Sequence, residues 1–205
     1  MSEKEKQISN EKQSLILEAA RKRFAHYGYS KVTMDEIAND IEMGKASLYY
    51  YFPTKESLFS NVIRLEQDEV ANELELIVNS DISCADKLRK YLSARIKLFQ
   101  KLLNIGTLSA HSFMDTKSVY IKLFLEFEKK ELEFLNIILE EGMKRGEFKN
   151  SLEKETPTVL LHMMQGLRFR VLKQHRGSDL DKKILNEFQN EMEIALNLII
   201  NGIMK

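Results

Sequence analysis

Residues that interrupt helices or cross-link chains are scarce in this sequence. Two prolines and eight glycines among 205 residues leave room for long helices with few turns. A single cysteine, Cys84, excludes a disulfide within the chain, and we interpret it as a buried or loop thiol rather than a sensor. Lysine and arginine number 31, as do aspartate and glutamate, so the whole chain carries no net charge that would attract nucleic acid or a membrane.

Long apolar runs are also absent. No stretch is long enough to cross a bilayer, and residues 1–12 are polar and charged, unlike a secretion signal. We therefore expect a cytoplasmic protein that does not contact a membrane. A globular core is still available, because 43% of the residues are hydrophobic.

Common catalytic and metal-binding motifs are missing too. No histidine has a glutamate three residues before it, as the di-iron sites of helical bundles require. The sequence has no His-Glu-x-x-His zinc motif, no phosphate-binding loop and no nucleophile elbow. We therefore expect no enzymatic activity, no catalytic residue, no metal and no cofactor.

Two short helices are predicted between residues 33 and 52. Thr33 and Glu36 have the spacing of a capping box, which predicts the start of the first helix. Pro53 ends the second helix, because the residue before a proline avoids the α-helical conformation. Thr54 then caps a further helix that begins near Lys55.

The second of these helices has two faces. At helical spacing, the inward positions are Gly44, Leu48, Tyr51 and Phe52, and the outward positions are Lys45, Ala46, Tyr49 and Tyr50. Three consecutive tyrosines span roughly 200° of a helix surface, so they cannot all be buried. The outward face is suited to contact with another molecule, and the major groove of DNA is the best candidate.

A series of positions at fixed spacing runs through this region. Its members are Ile37, Ala38, Met43, Lys45, Leu48, Tyr49, Tyr51, Phe52, Lys55, Glu56, Leu58 and Phe59. The series resembles the DNA-binding segment of the tetracycline-repressor (TetR-type) transcriptional regulators, and the match covers residues 11–62. The later phrase from Glu141 to Phe148 resembles a turn in the body of the same family.

The resemblance implies a set of DNA contacts. Lys45, Ser47, Tyr49 and Tyr50 would face the groove, Ala46 would lie against the DNA, and Thr33 and Lys55 would face phosphates. The side-chain chemistry agrees, because lysine donates to guanine or phosphate and tyrosine packs on a thymine methyl group. Thr33 is equally well explained as a cap alone. The chain departs from the family at Glu42, Gly44 and Ala46, which stand where glycine, serine and glycine are usual.

A strongly basic surface, the usual sign of a DNA-binding protein, is absent. Residues 1–60 contain nine basic and nine acidic side chains. We therefore expect weak non-specific DNA binding and moderate salt dependence, with a slope of log K against log salt shallower than about −10.

The rest of the chain predicts an all-α fold. A three-helix helix-turn-helix domain at residues 1–54, with residues 1–9 flexible and Asn10 capping the first helix, precedes a ligand-sensing and dimerising helical bundle at 55–205. We expect the helices of the bundle near 55–79, 85–103, 105–115, 118–145, 157–175 and 180–204.

The last two helices carry wide apolar faces. The predicted homodimer interface consists of Leu160, Met164, Leu167, Val171, Ile184, Phe188, Met192, Ala195, Leu196 and Ile199. The alternative is that these faces form the core of one protomer. In a symmetric dimer the two recognition helices would lie about 34–36 Å apart, or a multiple of that, and would read an inverted repeat.

A ligand pocket is predicted within the bundle. Its candidate residues are Phe99, Leu103, His111, Phe113, Met114, Phe124, Phe127, His162, Gln165 and Phe169. Each is also explained as an ordinary core position.

We predict a homodimeric, sequence-specific regulator, a repressor that a largely apolar small molecule releases from an inverted-repeat operator. The alternatives are an activator without ligand control and a helical protein-interaction module.

Overall fold

The structure is a computed structural model that describes residues 3–104, 117–174 and 182–205. The described residues form eight α-helices and one short 3-10 helix, so the all-α prediction is confirmed. Their bounds are α1 Glu3–Tyr27, the 3-10 helix Tyr29–Lys31, α2 Met34–Asp40, α3 Lys45–Tyr51, α4 Lys55–Val78, α5 Cys84–Asn104, α6 Lys117–Lys144, α7 Thr156–Gln174 and α8 Lys182–Ile203. The helix predicted at 105–115 lies outside the described residues. None of the helices described is both long and apolar enough to traverse a bilayer.

Contacts between residues divide the chain into two compact units. The first consists of Met1–Gln67 with Gln100–Leu123, and the second of Asp68–Phe99 with Phe124–Lys205. Helices α4, α5 and α6 therefore each contribute residues to both units. The predicted domain boundary after residue 54 stays a prediction.

Helix α1 begins earlier than its sequence signal suggested. The predicted cap at Asn10 is wrong, because the helix already starts at Glu3. Residues 3–9 contain neither glycine nor proline, and two glutamates in the first turn favour the positive end of the helix dipole. The helix ends before Gly28, which has a φ of +77° and whose N–H donates to the Phe24 carbonyl at 2.9 Å.

The core of the first unit forms where α1 meets α4. Ile16, Ala20 and Phe24 are fully buried, and the Phe24 ring packs edge-on against Phe59 with centroids 5.0 Å apart. Tyr27, three residues after Phe24, is 52% exposed instead. It is the last residue of α1, so its ring lies past the packed turns of the helix.

In the second unit, the turn that follows α6 is closely packed. Gly146 has a φ of +74°, and Phe148 just after it is fully buried. A Cβ atom on Gly142 would lie 2.1 Å from Cδ2 of that ring, so only glycine fits there. The N–H of Lys149 donates to the Ile203 carbonyl at 2.8 Å, which ties the turn to the end of α8.

Candidate nucleic-acid interface and ligand pocket

A capping box sets the start of α2, as predicted. The N–H of Glu36 donates to Oγ1 of Thr33 at 3.3 Å, and the N–H of Thr33 donates to the Glu36 carboxylate at 2.8 Å. The hydrogen bond from the Thr33 backbone, with a second from its hydroxyl, lowers the pKa of Glu36. Thr33 is therefore a cap, while its predicted phosphate contact stays a prediction.

The joint between α2 and α3 is a tight turn. Backbone N–H groups of the turn donate to carbonyl groups of α2; the N–H of Met43, for example, donates to the Ala38 carbonyl at 2.9 Å. Glu42 has a φ of +50°, a left-handed conformation that glycine adopts without strain. Gly44 caps α3 through its backbone alone, because it has no side chain to accept a hydrogen bond.

Helix α3 has one buried and one solvent face. Leu48 is fully buried and Phe52 is 5% exposed, whereas Tyr51 is half-buried. Tyr50 is 80% exposed and Tyr49 39%. The predicted groove contacts Lys45, Ala46 and Ser47 are exposed as well. The structure thus brings these five residues to the solvent side of one short helix; their contacts with DNA stay a prediction.

An ion pair on this surface was not expected from the sequence. Nζ of Lys45 lies 2.7 Å from the carboxylate of Asp35 on α2, and both side chains are more than half exposed. The hydrogen bond from Asp35 raises the pKa of Lys45, so the lysine is charged at neutral pH. Asp35 uses one of the three donors of Lys45 and partly neutralises its charge, so Asp35 competes with a phosphate or base for this lysine.

Lys55 is held at the start of α4. Its Nζ lies 4.3 Å from the centroid of the Tyr29 ring, a cation–π contact. Partial burial lowers the pKa of Lys55. The hydroxyl of Thr54 accepts the N–H of Ser57 at 3.0 Å, so the predicted cap at this helix is confirmed. Lys55 and the first turn of α4 both attract an anion at this place.

A pocket lies between α5, α7 and α8 of the second unit. It holds about 240 Å³ of space not filled by protein atoms, part of it open to solvent. Its apolar walls are Ile96, Phe99, Met164, Phe188 and Met192, and two guanidinium groups, those of Arg95 and Arg168, complete its lining.

The first of these cations is paired in the interior. Nε of Arg95 lies 3.1 Å from the Glu131 carboxylate, and the two side chains are 9% and 2% exposed. The hydroxyl of Tyr91 donates to the same carboxylate at 3.2 Å. Burial raises the pKa of Glu131, while the Arg95 charge opposes this increase.

The second cation has a different environment. Among the described residues, no carboxylate lies within ion-pair distance of Arg168; its guanidinium stacks over the Phe124 ring at 5.4 Å from the centroid. The nearby Glu128 accepts a hydrogen bond from Gln165 at 2.9 Å instead. Burial, followed by the like charge of Arg95, lowers the pKa of Arg168 to about 10.

The predicted ligand residues are scattered in the structure. Phe99 lines the pocket, and Phe124 lies beneath Arg168. Phe127 is buried and Gln165 half-buried, whereas His162 is exposed and Phe169 is 67% exposed. The Leu103 side chain and the residues His111, Phe113 and Met114 lie outside the described part of the chain. The role of these residues as ligand contacts stays a prediction.

Arg95, Glu131 and Arg168 were missed at the sequence level, although a signal was present. Each of the three lies where helical spacing predicts an apolar residue. Arg95, for example, lies four residues from both Tyr91 and Phe99. Glu131 likewise lies four residues from Phe127 and from Leu135. A charged residue inside an apolar stripe must be paired or functional, because its burial is costly.

The predicted dimer residues are mostly covered within one protomer. Leu160, Met164, Val171, Phe188, Met192 and Leu196 are buried, and Leu167, Ile184, Ala195 and Ile199 are half-buried. A different set of apolar side chains on the same two helices is exposed. These are Val159 at 60% and Phe169 at 67% on α7, and Ile194 at 52% and Leu198 at 69% on α8; we call them the α7–α8 stripe.

Known proteins with the same architecture match this chain. Residues 16–62 match the profile of bacterial regulatory proteins of the tetR family. A transcriptional regulator from Cytophaga hutchinsonii ATCC 33406, known from its crystal structure, is similar at 40% identity and a TM-score of 0.89, covering 95% of this chain and 99% of that one. The uncharacterized HTH-type transcriptional regulator YhgD of Bacillus subtilis (strain 168) is 27% identical over 182 residues, 84% of this chain and 90% of its own.

A more distant structure shares the fold. The crystal structure of a transcriptional regulator from Saccharomonospora viridis in complex with choline has a TM-score of 0.62 at 17% identity, covering 96% of this chain and 99% of that one.

A capped helix, a tight turn and a second helix with an exposed polar and aromatic face define a helix-turn-helix DNA-binding regulator of transcription. The chain belongs to the tetR family of bacterial regulatory proteins. The resemblance seen in residues 11–62 is thereby confirmed.

Proposed function

We infer that the protein is a cytoplasmic, homodimeric repressor that binds an inverted-repeat operator and leaves it when a small molecule binds the second unit. The observation that carries this proposal is the exposed face of α3. Tyr50 on this face is 80% exposed, whereas Leu48 on the other face of the helix is fully buried. An aromatic side chain presented to solvent by so short a helix is suited to contact with another molecule. In a helix-turn-helix protein that contact is the edge of the bases in the major groove.

Dimerisation is supported by the α7–α8 stripe. Four large apolar side chains on two helices are more than half exposed in one protomer, and exposed apolar patches mark interaction sites. A two-fold axis would pack the stripe against its own copy, so both surfaces would be covered at once. Two copies of α3 at about one DNA turn, 34–36 Å, would then read an inverted repeat.

Release by a ligand is supported by the pocket in the second unit. The choline complex of the Saccharomonospora viridis regulator shows that a protein of this fold can hold a small molecule. The ligand must bind the non-operator conformation more tightly, because a ligand with equal affinity for both states shifts nothing.

The α3 surface is tested by replacing its tyrosines. We expect Tyr49→Ala and Tyr50→Ala to abolish binding to operator fragments selected from genomic DNA with the intact protein. Thermal unfolding should stay nearly unchanged, since substitutions of exposed residues cost no more than about 0.5 kcal/mol. Tyr27→Ala is the matched control, because Tyr27 is also an exposed aromatic, at 52%, but lies at the end of α1. Normal operator binding by both α3 variants would refute the assigned contacts.

The dimer is tested with a charge in the α7–α8 stripe. Leu198→Glu should give a monomer by light scattering and should lose operator affinity, because burying a carboxylate at a symmetric contact is costly. Leu76→Glu, at a residue 75% exposed on α4, introduces the same change elsewhere and should leave a dimer. A strictly monomeric wild-type protein, or a dimeric Leu198→Glu variant, would contradict the proposed interface.

A further inference from the structure

The charge of the pocket in the second unit limits what it can bind. Its two cations are Arg95 and Arg168, and only Arg95 has a carboxylate in ion-pair contact. The charges of Glu131 and Glu128 act on Arg168 through space, but Glu131 is in ion-pair contact with Arg95 and Glu128 accepts a hydrogen bond from Gln165. One guanidinium thus lines the pocket without an ionic partner among the described residues.

The environment of Arg168 makes its charge costly in the unliganded protein. Arg168 is half-buried, and its guanidinium is stacked on Phe124 and repelled by Arg95. A negative group would remove this cost, because the planar fork of an arginine donates two parallel hydrogen bonds to a carboxylate. A positively charged ligand would add a third cation to the same place.

The remaining walls describe the rest of the ligand. Phe99 and Phe188 pack with ring centroids 5.0 Å apart, and two methionines stand beside them. Apolar side chains of this kind take up an aliphatic or aromatic body. The space that a water-sized sphere can enter is only about 10 Å³, about the room that one water molecule needs, so the pocket must widen before it can hold a ligand. Met164 and Met192 can allow this because methionine side chains change rotamer easily.

We propose that this pocket binds a small molecule with one carboxylate on an apolar body, with Arg168 holding the carboxylate and the walls from α5, α7 and α8 holding the body. This assignment names the ligand class of the proposed function and rests on it. A single negative charge matches the single unpaired guanidinium. We expect a quaternary ammonium compound such as choline not to bind this pocket, because it would face the two guanidinium groups of the lining.

The first experiment uses the purified full-length protein without DNA. Thermal unfolding and calorimetry are measured with octanoate, octanol and octylammonium, which share one chain and differ in the head group. We expect octanoate to raise the midpoint of unfolding and the other two to have little effect. Equal stabilisation by octanoate and octanol, stabilisation by octylammonium alone, or no stabilisation by any of the three would overturn the proposal.

The second experiment changes the cation itself. Arg168→Gln should weaken octanoate binding at least about tenfold, the loss expected for a hydrogen bond to a charged group. It should also raise the unfolding midpoint of the unliganded protein, because the uncompensated charge is gone. Arg170→Gln, on the same helix where Arg170 pairs with Glu191, is the control and should keep wild-type octanoate affinity. An octanoate affinity within twofold of wild type in Arg168→Gln would overturn the assignment of Arg168.

A DNA measurement separates this proposal from the proposed function. Octanoate binding that leaves operator affinity unchanged would support the carboxylate site and refute ligand-controlled release. Failure of octanoate to bind, in a protein that still binds its operator as a dimer, would overturn the carboxylate site and leave the DNA-binding role standing.

Discussion

The exposed surface of α2 and α3 and the pocket hold their charged side chains in opposite ways. On α2 and α3, Lys45 and Asp35 pair at 2.7 Å with 63% and 52% of their side chains exposed. At the pocket, Arg95 and Glu131 pair at 3.1 Å with 9% and 2% exposed. Water and salt screen the first pair, whereas the second is removed from both.

The difference explains how each region can be used. An exposed ion pair is worth little, so Lys45 can leave Asp35 for a phosphate at small cost. In a buried pair neither charged group can leave the other, because either charge alone in the interior is strongly unfavourable. Glu131 is therefore committed to Arg95, which leaves Arg168 as the cation available to a ligand.

The largest expected effect comes from breaking the buried pair. Glu131→Ala should lower the free energy of unfolding by about 3–5 kcal/mol, since it leaves Arg95 charged, buried and unpaired beside Arg168. Urea unfolding followed by circular dichroism measures this change.

Two further variants sharpen that result. Asp35→Ala removes the partner of an exposed lysine and should cost no more than about 0.5 kcal/mol. The double variant Arg95→Met with Glu131→Leu should recover most of the stability, because it removes both charges of the buried pair together. A loss below about 1 kcal/mol for Glu131→Ala would show that water reaches the Arg95 guanidinium, and the contrast between the two regions would disappear.

The next effect compares a glycine from each unit. Gly142→Ala should destabilise by about 1–3 kcal/mol, because its Cβ would lie 2.1 Å from the Phe148 ring and the packed turn must move. Gly44→Ser, at the start of α3, meets no atom within 4 Å and should add a few tenths of a kcal/mol through a better helix cap. Differential scanning calorimetry measures whether each variant is more or less stable than the wild type. A Gly142→Ala variant of unchanged stability would contradict the close packing.

A smaller, stabilising effect is expected in the turn before α3. Glu42→Gly should raise the free energy of unfolding by about 1 kcal/mol, since it relieves the left-handed backbone at φ +50°. Asn39→Gly, inside α2, should instead lower it by a few tenths of a kcal/mol. Urea unfolding of the pair tests this, and a destabilised Glu42→Gly would mean that the glutamate side chain stabilises the turn.

The α3 surface could be predicted from sequence because its determinants are local. Thr33 and Glu36 are three residues apart, Pro53 acts on its neighbour, and helical spacing alone separates Leu48 from Tyr50. Each of these rules needs only a few consecutive residues. The start of α1 was missed for a related reason: Asn10 is a good cap in isolation, but the helix formers before it extend the helix.

The pocket could not be assembled from sequence because its residues are far apart in the chain. Arg95, Glu131 and Arg168 lie on three different helices, and only tertiary packing brings their charges together. Apolar faces have the same difficulty. Periodicity identifies that Phe188 and Leu198 are on an apolar helix, but not that the first is buried in its own protomer and the second is exposed.

The smallest expected effect concerns the exposed pair of Lys45 and Asp35 on α3 and α2. Asp35→Asn frees Lys45 from its partner and removes a negative charge beside the predicted phosphate contacts. We expect roughly threefold tighter operator binding, in line with the modest worth of an exposed ion pair, and little change in stability. Fluorescence anisotropy on labelled operator over a series of salt concentrations measures both the affinity and its salt slope.

Two comparisons decide whether Lys45 is the cause of that gain. Asp68→Asn removes the same charge from a surface pair in the second unit, where Asp68 lies 3.2 Å from Lys130, and should leave operator affinity unchanged. In a Lys45→Ala background, which should itself reduce the salt slope by about one, Asp35→Asn should give no further gain. An equal gain from Asp35→Asn and Asp68→Asn would mean that overall charge, and not the exchange of Asp35 for phosphate at Lys45, controls the affinity.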